Sequence, residues 1–278
     1  MPEYRLKAVY EHGSADNGQL DLYDASVSLQ GLARALTIAT HAYVAGEVRY
    51  RATTAAGTKI YLEPAARGSF IEAIRIVIDN EVVKGLGYGV AGNALYDFIK
   101  WALRSGYGAF QEPPANIKKR IEPVIGELPV ALEQPLQLMH RPIYKNKRIT
   151  LSLDRARGER LITFDQQSAE ALAIVESGPE HDIVGNITRF NVLSSWGRLF
   201  DRDEGRTISF KLSEALSPEE RQLVTWSLDE VNNDRDGTLY FDVNATRTPS
   251  GEAKRYLVTA IRQAPVAEFD VEDDDGEI

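Results

Sequence analysis

Cysteine is absent from the chain. Its absence excludes disulfide bonds, thiolate metal sites and thiol nucleophiles, and it fits a protein of the reducing cytosol. Histidine is scarce, and the four histidines are far apart in sequence with no metal-ligand spacing. The first residues contain no apolar stretch of the kind found in a signal peptide. We therefore predict a cytoplasmic protein with no metal and no cofactor.

Catalytic patterns are missing as well. The sequence has no P-loop. The spacing of its residues indicates neither a catalytic pair of carboxylates nor a Ser-His-Asp triad. Three strands, a helix and two strands follow one another near the C-terminus, the order of a barrel class that mostly binds other molecules and rarely catalyses reactions. We therefore predict a binding protein that is not an enzyme.

Basic residues are missing from the C-terminal end. The formal net charge of the 278-residue chain is −9, and seven acidic residues but no lysine or arginine lie in 266–278. Without this segment the net charge is −2. A block of like charge with few apolar residues repels itself, so we predict a disordered acidic tail over 266–278. The rest of the chain is long enough for two domains with separate cores.

The first 110 residues have the pattern of an α+β domain. Apolar residues at helical spacing follow Asp24, which we predict to be the helix N-cap, and Gly46 ends the run. Alternating or β-rich segments predict strands on either side of this helix. These predicted strands are 4–11, 47–53, 58–63 and 69–78.

The stretch 82–103 is glycine-rich in its first half and helical in pattern in its second. Gly85 and Gly89 form a GxxxG pattern, which lets helices approach closely, and Gly92 follows. The stretch is long enough to cross a bilayer of roughly 30 Å, but it includes three charged residues, each of which costs about 2.5–3.5 kcal/mol near the centre of a span. We predict a buried helix packed on the sheet, with the three glycines in a self-association or membrane segment.

Residues 111–177 are predicted to form a packed connector, because six prolines break the chain into short pieces between 112 and 142. Apolar residues recur in this stretch, which argues against a disordered linker. The predicted elements are short helices at 115–125 and 127–138, a hairpin of 148–153 and 160–165, and a helix at 166–176.

The segment 178–265 has the element order of a small closed barrel. Ser217 and Pro218 open a helix with acidic residues in its first turn, where the helix dipole favours negative charge. Three strands, one helix and two strands in this order are typical of the OB-fold, a Greek-key barrel. The predicted strands are 183–192, 197–202, 206–212, 238–246 and 254–262.

The first hairpin of this segment resembles that of the cold-shock branch of OB-fold proteins. That family reads Gly-x-Val-Lys-Trp-Phe-Asn, four residues, then Phe-Gly-Phe-Ile. The chain departs from it at Thr188, Arg189, Ser194 and Arg198, where the family has Lys, Trp, Lys and Phe. The residues that match its spacing are Gly185, Ile187, Phe190, Asn191, Trp196, Gly197 and Leu199.

The resemblance implies that Phe190 and Trp196 stack on bases of single-stranded nucleic acid. Arg189, Arg198 and Arg202 are close to them in sequence, and arginine planes also stack on bases. Residues 178–265, however, contain 14 acidic and 11 basic residues, so any basic surface is local. The alternative is that the two aromatic side chains close the core of the barrel.

The sequence thus predicts an α+β protein with an N-terminal domain, a connector, an OB-like barrel and an acidic tail. The predicted function is recognition through the barrel, with single-stranded nucleic acid as one partner, and self-association or partner contact through the N-terminal domain. One alternative is a membrane-acting effector whose segment 82–103 inserts or oligomerises on a trigger. A second is a structural subunit that contacts only proteins.

Overall fold

The computed structural model describes residues 2–50, 53–63, 70–79, 94–108, 113, 124–173, 175–248 and 251–263. The chain forms two compact units. One comprises Met1–Glu176 together with Thr246–Lys254, and the other comprises Ser177–Ala245 and Arg255–Ile278. The predicted α+β class is confirmed by a sheet with helices in the first unit and a closed barrel in the second.

The first unit contains a five-stranded antiparallel sheet in the order β2-β3-β1-β4-β5. One face of this sheet carries buried apolar side chains such as Leu6, Ile76 and Leu153. The strands predicted in this unit are confirmed with one exception: residues 47–50 form no strand. The five strands are β1 (Glu3–Glu11), β2 (Thr58–Glu63), β3 (Phe70–Ile78), β4 (Thr150–Arg155) and β5 (Arg160–Phe164).

The N-cap of helix α1 (Leu22–Ala45) lies three residues before Asp24, the predicted cap. The side chain of Asp21 accepts hydrogen bonds from the backbone N–H groups of Tyr23 and Asp24, both at 3.0 Å, so Asp21 is the N-cap. Asp24 instead accepts from Arg141 Nε at 2.7 Å. The predicted C-terminal stop is confirmed, because Gly46 has the left-handed conformation with φ of 72°.

Shorter helices complete the first unit: α2 (Ala94–Gly106), α3 (Leu128–Met139), α4 (Arg141–Lys145) and α5 (Gln166–Ala171). Gly31 of α1 allows close packing on α3, since a Cβ atom there would lie 2.4 Å from the backbone nitrogen of Met139.

The described parts of the stretch 111–177, predicted to be a connector, belong to the first unit up to residue 176. Lys254 of the same unit donates to Glu133 of α3 at 2.7 Å, and both side chains are 9% exposed.

The second unit is a closed OB-like barrel with strand order β10-β8-β7-β6-β9. Strands β8 and β10 run parallel, and helix α6 (Pro218–Asn232) lies between β8 and β9 in sequence. The predicted order of three strands, a helix and two strands is confirmed. The strands are β6 (Val175–Asn191), β7 (Trp196–Asp201), β8 (Arg206–Leu212), β9 (Leu239–Arg247) and β10 (Ala253–Gln263).

Among the helices within the described ranges, none is long and apolar enough to cross a membrane. The second half of the glycine-rich stretch forms part of α2, as predicted. Gly85, Gly89 and Gly92 lie outside the described residues, and so does the acidic tail.

Candidate recognition face of the barrel

Alternation along β7 separates the barrel core from its outer surface. Leu199 is fully buried, and Gly197 leaves room for Phe210, whose Cζ would lie 2.4 Å from a Cβ atom at position 197. Because successive side chains of a strand point to opposite faces, Trp196, Arg198 and Phe200 point outward.

A bulge in β6 determines which of its residues share that outer surface. Ile187 pairs with Leu199, but Arg189 pairs with Arg198, so the register shifts at Thr188. A β-bulge of this kind inserts one extra residue and changes which side chains face the core. Arg189 consequently lies beside Arg198 on the outside of the barrel.

The registers of four strands then define a recognition face on the outside of the barrel. We use this name for three rows of outward residues that cross β6, β7, β8 and, in two rows, β10. The face includes four basic and two aromatic residues, and none of its eleven residues is acidic. The rows are Asn191, Trp196, Lys211 and Leu257; Arg189, Arg198, Ser209 and Arg255; and Asn186, Phe200 and Thr207.

The middle of the recognition face is buried. Arg198 is 4% exposed, and its guanidinium donates to Ser209 Oγ at 3.1 Å and to both the carbonyl and the hydroxyl oxygen of Thr207 at 2.8 Å. Ser209 is 5% exposed. Arg198 therefore links β7 to β8 and supplies a fixed positive charge.

The row of Trp196, Lys211 and Leu257 is the accessible part of the face. Lys211 is exposed, Leu257 is 40% exposed and Trp196 is half-buried. The hairpin loop between β6 and β7 continues this row with two more exposed apolar side chains, Val192 and Leu193. The accessible row thus combines one cation with aromatic and aliphatic surface.

Phe190 points into the barrel instead of onto the face. Its ring lies parallel to that of Phe210 with centroids 6.2 Å apart, and Phe210 is fully buried. The packing supports the alternative that Phe190 closes the core, since one side of its ring is already covered. Base stacking by Phe190 was predicted from the cold-shock resemblance, and no named family supports that resemblance.

Arg202 lies beyond the end of β7, away from the three rows. Its guanidinium donates to the hydroxyl of Thr238 and lies 3.8 Å from Asp236, both in the turn between α6 and β9. The structure therefore brings Arg189, Trp196 and Arg198 together on one face and places Arg202 elsewhere.

The sequence did not indicate seven residues of the face, among them Phe200, Lys211, Arg255 and Leu257. Alternation along the two predicted strands could have assigned Phe200 and Lys211 to the same side as Arg198. The two residues of β10 join the face only through the parallel pairing with β8, for which the sequence contains no local signal.

Several basic residues elsewhere on the barrel bind carboxylates. Arg262 donates to both oxygens of Asp242 at 2.9 Å, and these hydrogen bonds lower the pKa of Asp242 to about 2. Arg235 donates to Glu230 at 2.7 Å in the same way. Asp242 and Glu230 thus hold these arginines at positions outside the recognition face.

One serine and one histidine of the first unit lie within hydrogen-bond distance, but their arrangement is structural. His140 Nδ1 is 2.7 Å from the Leu136 carbonyl and must donate to it, so Nε2 accepts from Ser168 Oγ at 2.9 Å. Burial lowers the pKa of His140 to about 4. The carboxylate of Asp165 caps α5 by accepting from Ser168 N, and it does not orient the imidazole.

Metal binding finds no support in the described residues, where no three His, Cys, Asp or Glu side chains are grouped so as to hold an ion.

Comparison with known proteins separates the chain at the same place as its structure. No curated protein and no solved structure matches it. Residues 179–262, the barrel, match a family model described as "Family of unknown function (DUF7947)". Residues 6–173 match a second model, described as "Domain of unknown function (DUF7946)", over more than half of the 278 residues. The chain therefore belongs to the DUF7946 family, with a DUF7947 match following in its barrel.

Proposed function

We propose that this chain is a non-enzymatic binding protein whose barrel recognises single-stranded nucleic acid. One observation carries the proposal: the recognition face joins Trp196 and Lys211 in an accessible row beside three arginines, without an acidic residue. OB-folds bind oligonucleotides through the surface of their second and third strands, which here are β7 and β8.

The chemistry of the accessible row suits a flexible strand with unstacked bases. A base stacked on an aromatic side chain contributes roughly 1–3 kcal/mol, and every base has a face that can stack. Lys211 and the partly exposed Arg189 and Arg255 neutralise phosphates and release counterions, while the buried Arg198 adds only its charge. With two or three such contacts, the logarithm of affinity falls with the logarithm of salt concentration with a slope of about −2.

The first unit provides self-association or partner contact in this proposal. It is the larger part of the chain, and within the part that the structure describes no strand pairs with the outer edge of β2. Association of two copies would bring two barrels to one strand, and linked sites bind more tightly than single ones.

The exposed loop of the recognition face favours a second candidate, a protein partner. Leu193 is 98% exposed and Val192 is 72% exposed, in the loop that joins Asn191 to Trp196 of the accessible row, and Leu257 of the same row is 40% exposed. Adjacent exposed aliphatic side chains are typical of protein-binding surfaces when they form one patch. A protein partner would use the same face. The two candidate functions are therefore distinguished by whether the face binds nucleic acid or protein.

The proposal is tested by titrating fluorescent single-stranded DNA and RNA with the full chain and with a chain that ends at Pro265. We expect binding by both chains, tighter after removal of 266–278 and weaker at the higher of two salt concentrations, because the removed segment carries seven acidic residues. Absence of binding by both chains would overturn the nucleic-acid proposal and leave the protein partner.

A further inference from the structure

Strand β2 lies at the edge of the sheet in the first unit, and we propose that it pairs with β2 of a second copy of this chain. In the sheet order β2-β3-β1-β4-β5, β3 is the one strand of the described residues that pairs with β2. Edge strands present backbone groups that a further strand can bind. The inference names the surface for the self-association part of the proposed function and does not depend on nucleic acid.

Alternate residues of β2 direct their backbone groups toward the open edge. The N–H group of Asp79 donates to the carbonyl of Gly57 at 2.8 Å, so these two residues form a hydrogen-bonded pair. In an antiparallel ladder such pairs recur at every second residue. The odd-numbered residues of β2 therefore form their backbone hydrogen bonds with β3. Ile60 and Leu62 consequently direct their N–H and C=O groups away from the sheet.

One antiparallel register uses these outward groups on both copies. When Ile60 lies opposite Leu62 of the second copy, each of the two symmetric pairs forms two backbone hydrogen bonds. The two-fold axis then passes beside Tyr61, which lies opposite Tyr61 of the second copy in a non-hydrogen-bonded pair. Because the same surface is used on both copies, the contact closes as a dimer.

The same register matches opposite charges. Lys59 lies opposite Glu63 of the second copy, and the symmetric contact repeats the match. Lys59 is exposed, and Glu63 accepts from Arg75 Nε through Oε1 at 2.6 Å, so its second oxygen is available to a lysine. A shift by two residues in either direction satisfies the backbone but places no carboxylate opposite Lys59. Opposite charges directly across a strand pair stabilise it.

The contact also covers apolar surface at the edge. Leu62 is 62% exposed and Tyr61 is 40% exposed in the chain. Two six-residue strands make a small interface, well below that of a permanent dimer, so we expect a concentration-dependent dimer.

Sedimentation of the full chain tests whether the edge is used. We expect the monomer–dimer equilibrium of the wild type to be lost in Leu62→Pro, because proline removes an outward N–H and leaves the β2–β3 hydrogen bonds intact. Leu62→Ala, which keeps the N–H, is the matched control and retains dimerisation. Circular dichroism checks that both variants fold. A wild type that is monomeric at all concentrations would overturn the inference.

A single cysteine tests the register, since the chain has none of its own. In Tyr61→Cys the two thiols lie in a non-hydrogen-bonded pair with Cα atoms about 4.5 Å apart, within the range that a disulfide spans. Oxidation is expected to give a covalent dimer. In Leu62→Cys, which is at least as exposed, the two thiols are offset along the strands and should cross-link at least tenfold more slowly. Equal rates for the two variants would overturn the register.

Charge reversal provides a test that also shows whether the variants are folded, because only folded variants can associate when they are mixed. Lys59→Glu and Glu63→Lys should each fail to dimerise alone, because like charges then face each other. Mixed in equal amounts, they should form a heterodimer in which both ion pairs are restored. No heterodimer, or unchanged dimers in each variant alone, contradicts the pairing. These experiments are done without nucleic acid, so their results test dimerisation independently of the ligand proposed for the barrel.

Discussion

Arg189 lies directly opposite Arg198 on the outer face of the barrel, although Ile187, two residues earlier in β6, pairs with Leu199, which is only one residue later in β7. Two residues of β6 are thus used against one of β7. Without this bulge, alternation from Ile187 would direct Arg189 inward and Phe190 outward. The bulge therefore gives the recognition face a cation and gives the core an aromatic ring.

Removal of the accessible indole should weaken nucleic-acid binding. Trp196→Ala is expected to lower the affinity for single-stranded DNA or RNA about tenfold or more, because one stacked base contributes roughly 1–3 kcal/mol. Fluorescence anisotropy measures the change. Tyr50→Ala is the control, since Tyr50 is 40% exposed and belongs to the first unit. Equal affinities for the two variants would contradict a stacking role for Trp196.

A methyl group at position 197 should destabilise the barrel. A Cβ atom on Gly197 would lie 2.4 Å from Phe210 Cζ and 2.6 Å from the carbonyl oxygen of Arg189, so both a ring and the backbone must move. We expect Gly197→Ala to cost about 1–3 kcal/mol in the free energy of unfolding, measured by urea denaturation. Gly178→Ala is the control, because no atom lies within 4 Å of a Cβ atom there.

The buried hydroxyl of Ser227 joins α6 to the strands of the barrel. It accepts from the N–H of Ile187 at 3.0 Å and donates to the carbonyl of Gly237. Ser227→Ala leaves both backbone groups without this partner, and we expect it to lower the free energy of unfolding by about 2 kcal/mol or more. Thr225→Ala on the exposed side of the same helix should change stability little. A loss no larger in Ser227→Ala than in this control would contradict the assignment.

Protonation of His140 should destabilise the protein in mild acid. Burial lowers its pKa from 6.5 to about 4, so the unfolded chain binds the proton more readily than the folded chain between these values. The contribution is complete above pH 6.5 and is lost as the pH falls toward 4, by roughly 3 kcal/mol in all. Urea unfolding at several pH values measures the slope.

Substitution of His140 identifies the source of this slope. His140→Gln should remove much of the pH dependence between pH 4 and 6.5, at the cost of a lower stability at neutral pH. His12→Gln, at an exposed histidine, should retain the dependence. An unchanged slope in His140→Gln would show that other groups cause it.

The sequence predicts the barrel well because its signals are local. Alternation places β8 at 206–212, and Ser217 with Pro218 marks the start of α6, where the structure shows a capping box with Glu220. The predicted N-cap of α1 was wrong because Asp21 and Asp24 are equally good capping residues. The tertiary fold decides between them, since it brings Arg141 to Asp24.

The recognition face could be predicted only in part. Trp196 and Arg198 follow from alternation in β7, but the inward position of Phe190 depends on a bulge that leaves no trace in residue type. The burial of Arg198 depends on Thr207 and Ser209 across the strand pair. Arg255 joins the face through a parallel pairing of segments more than forty residues apart.

Charge reversal at Lys211 tests whether nucleic acid binds to the recognition face. Lys211→Glu reverses the exposed cation of the recognition face, and Lys147→Glu makes the same change at an exposed lysine of the first unit. Affinity for single-stranded nucleic acid is measured for both full-length variants at two salt concentrations. We expect Lys211→Glu to lose most of the binding and to reduce the slope of log affinity against log salt concentration by about 0.7 to 1, while Lys147→Glu binds like the wild type. Equal loss in both variants, or none in Lys211→Glu, would contradict recognition through this face.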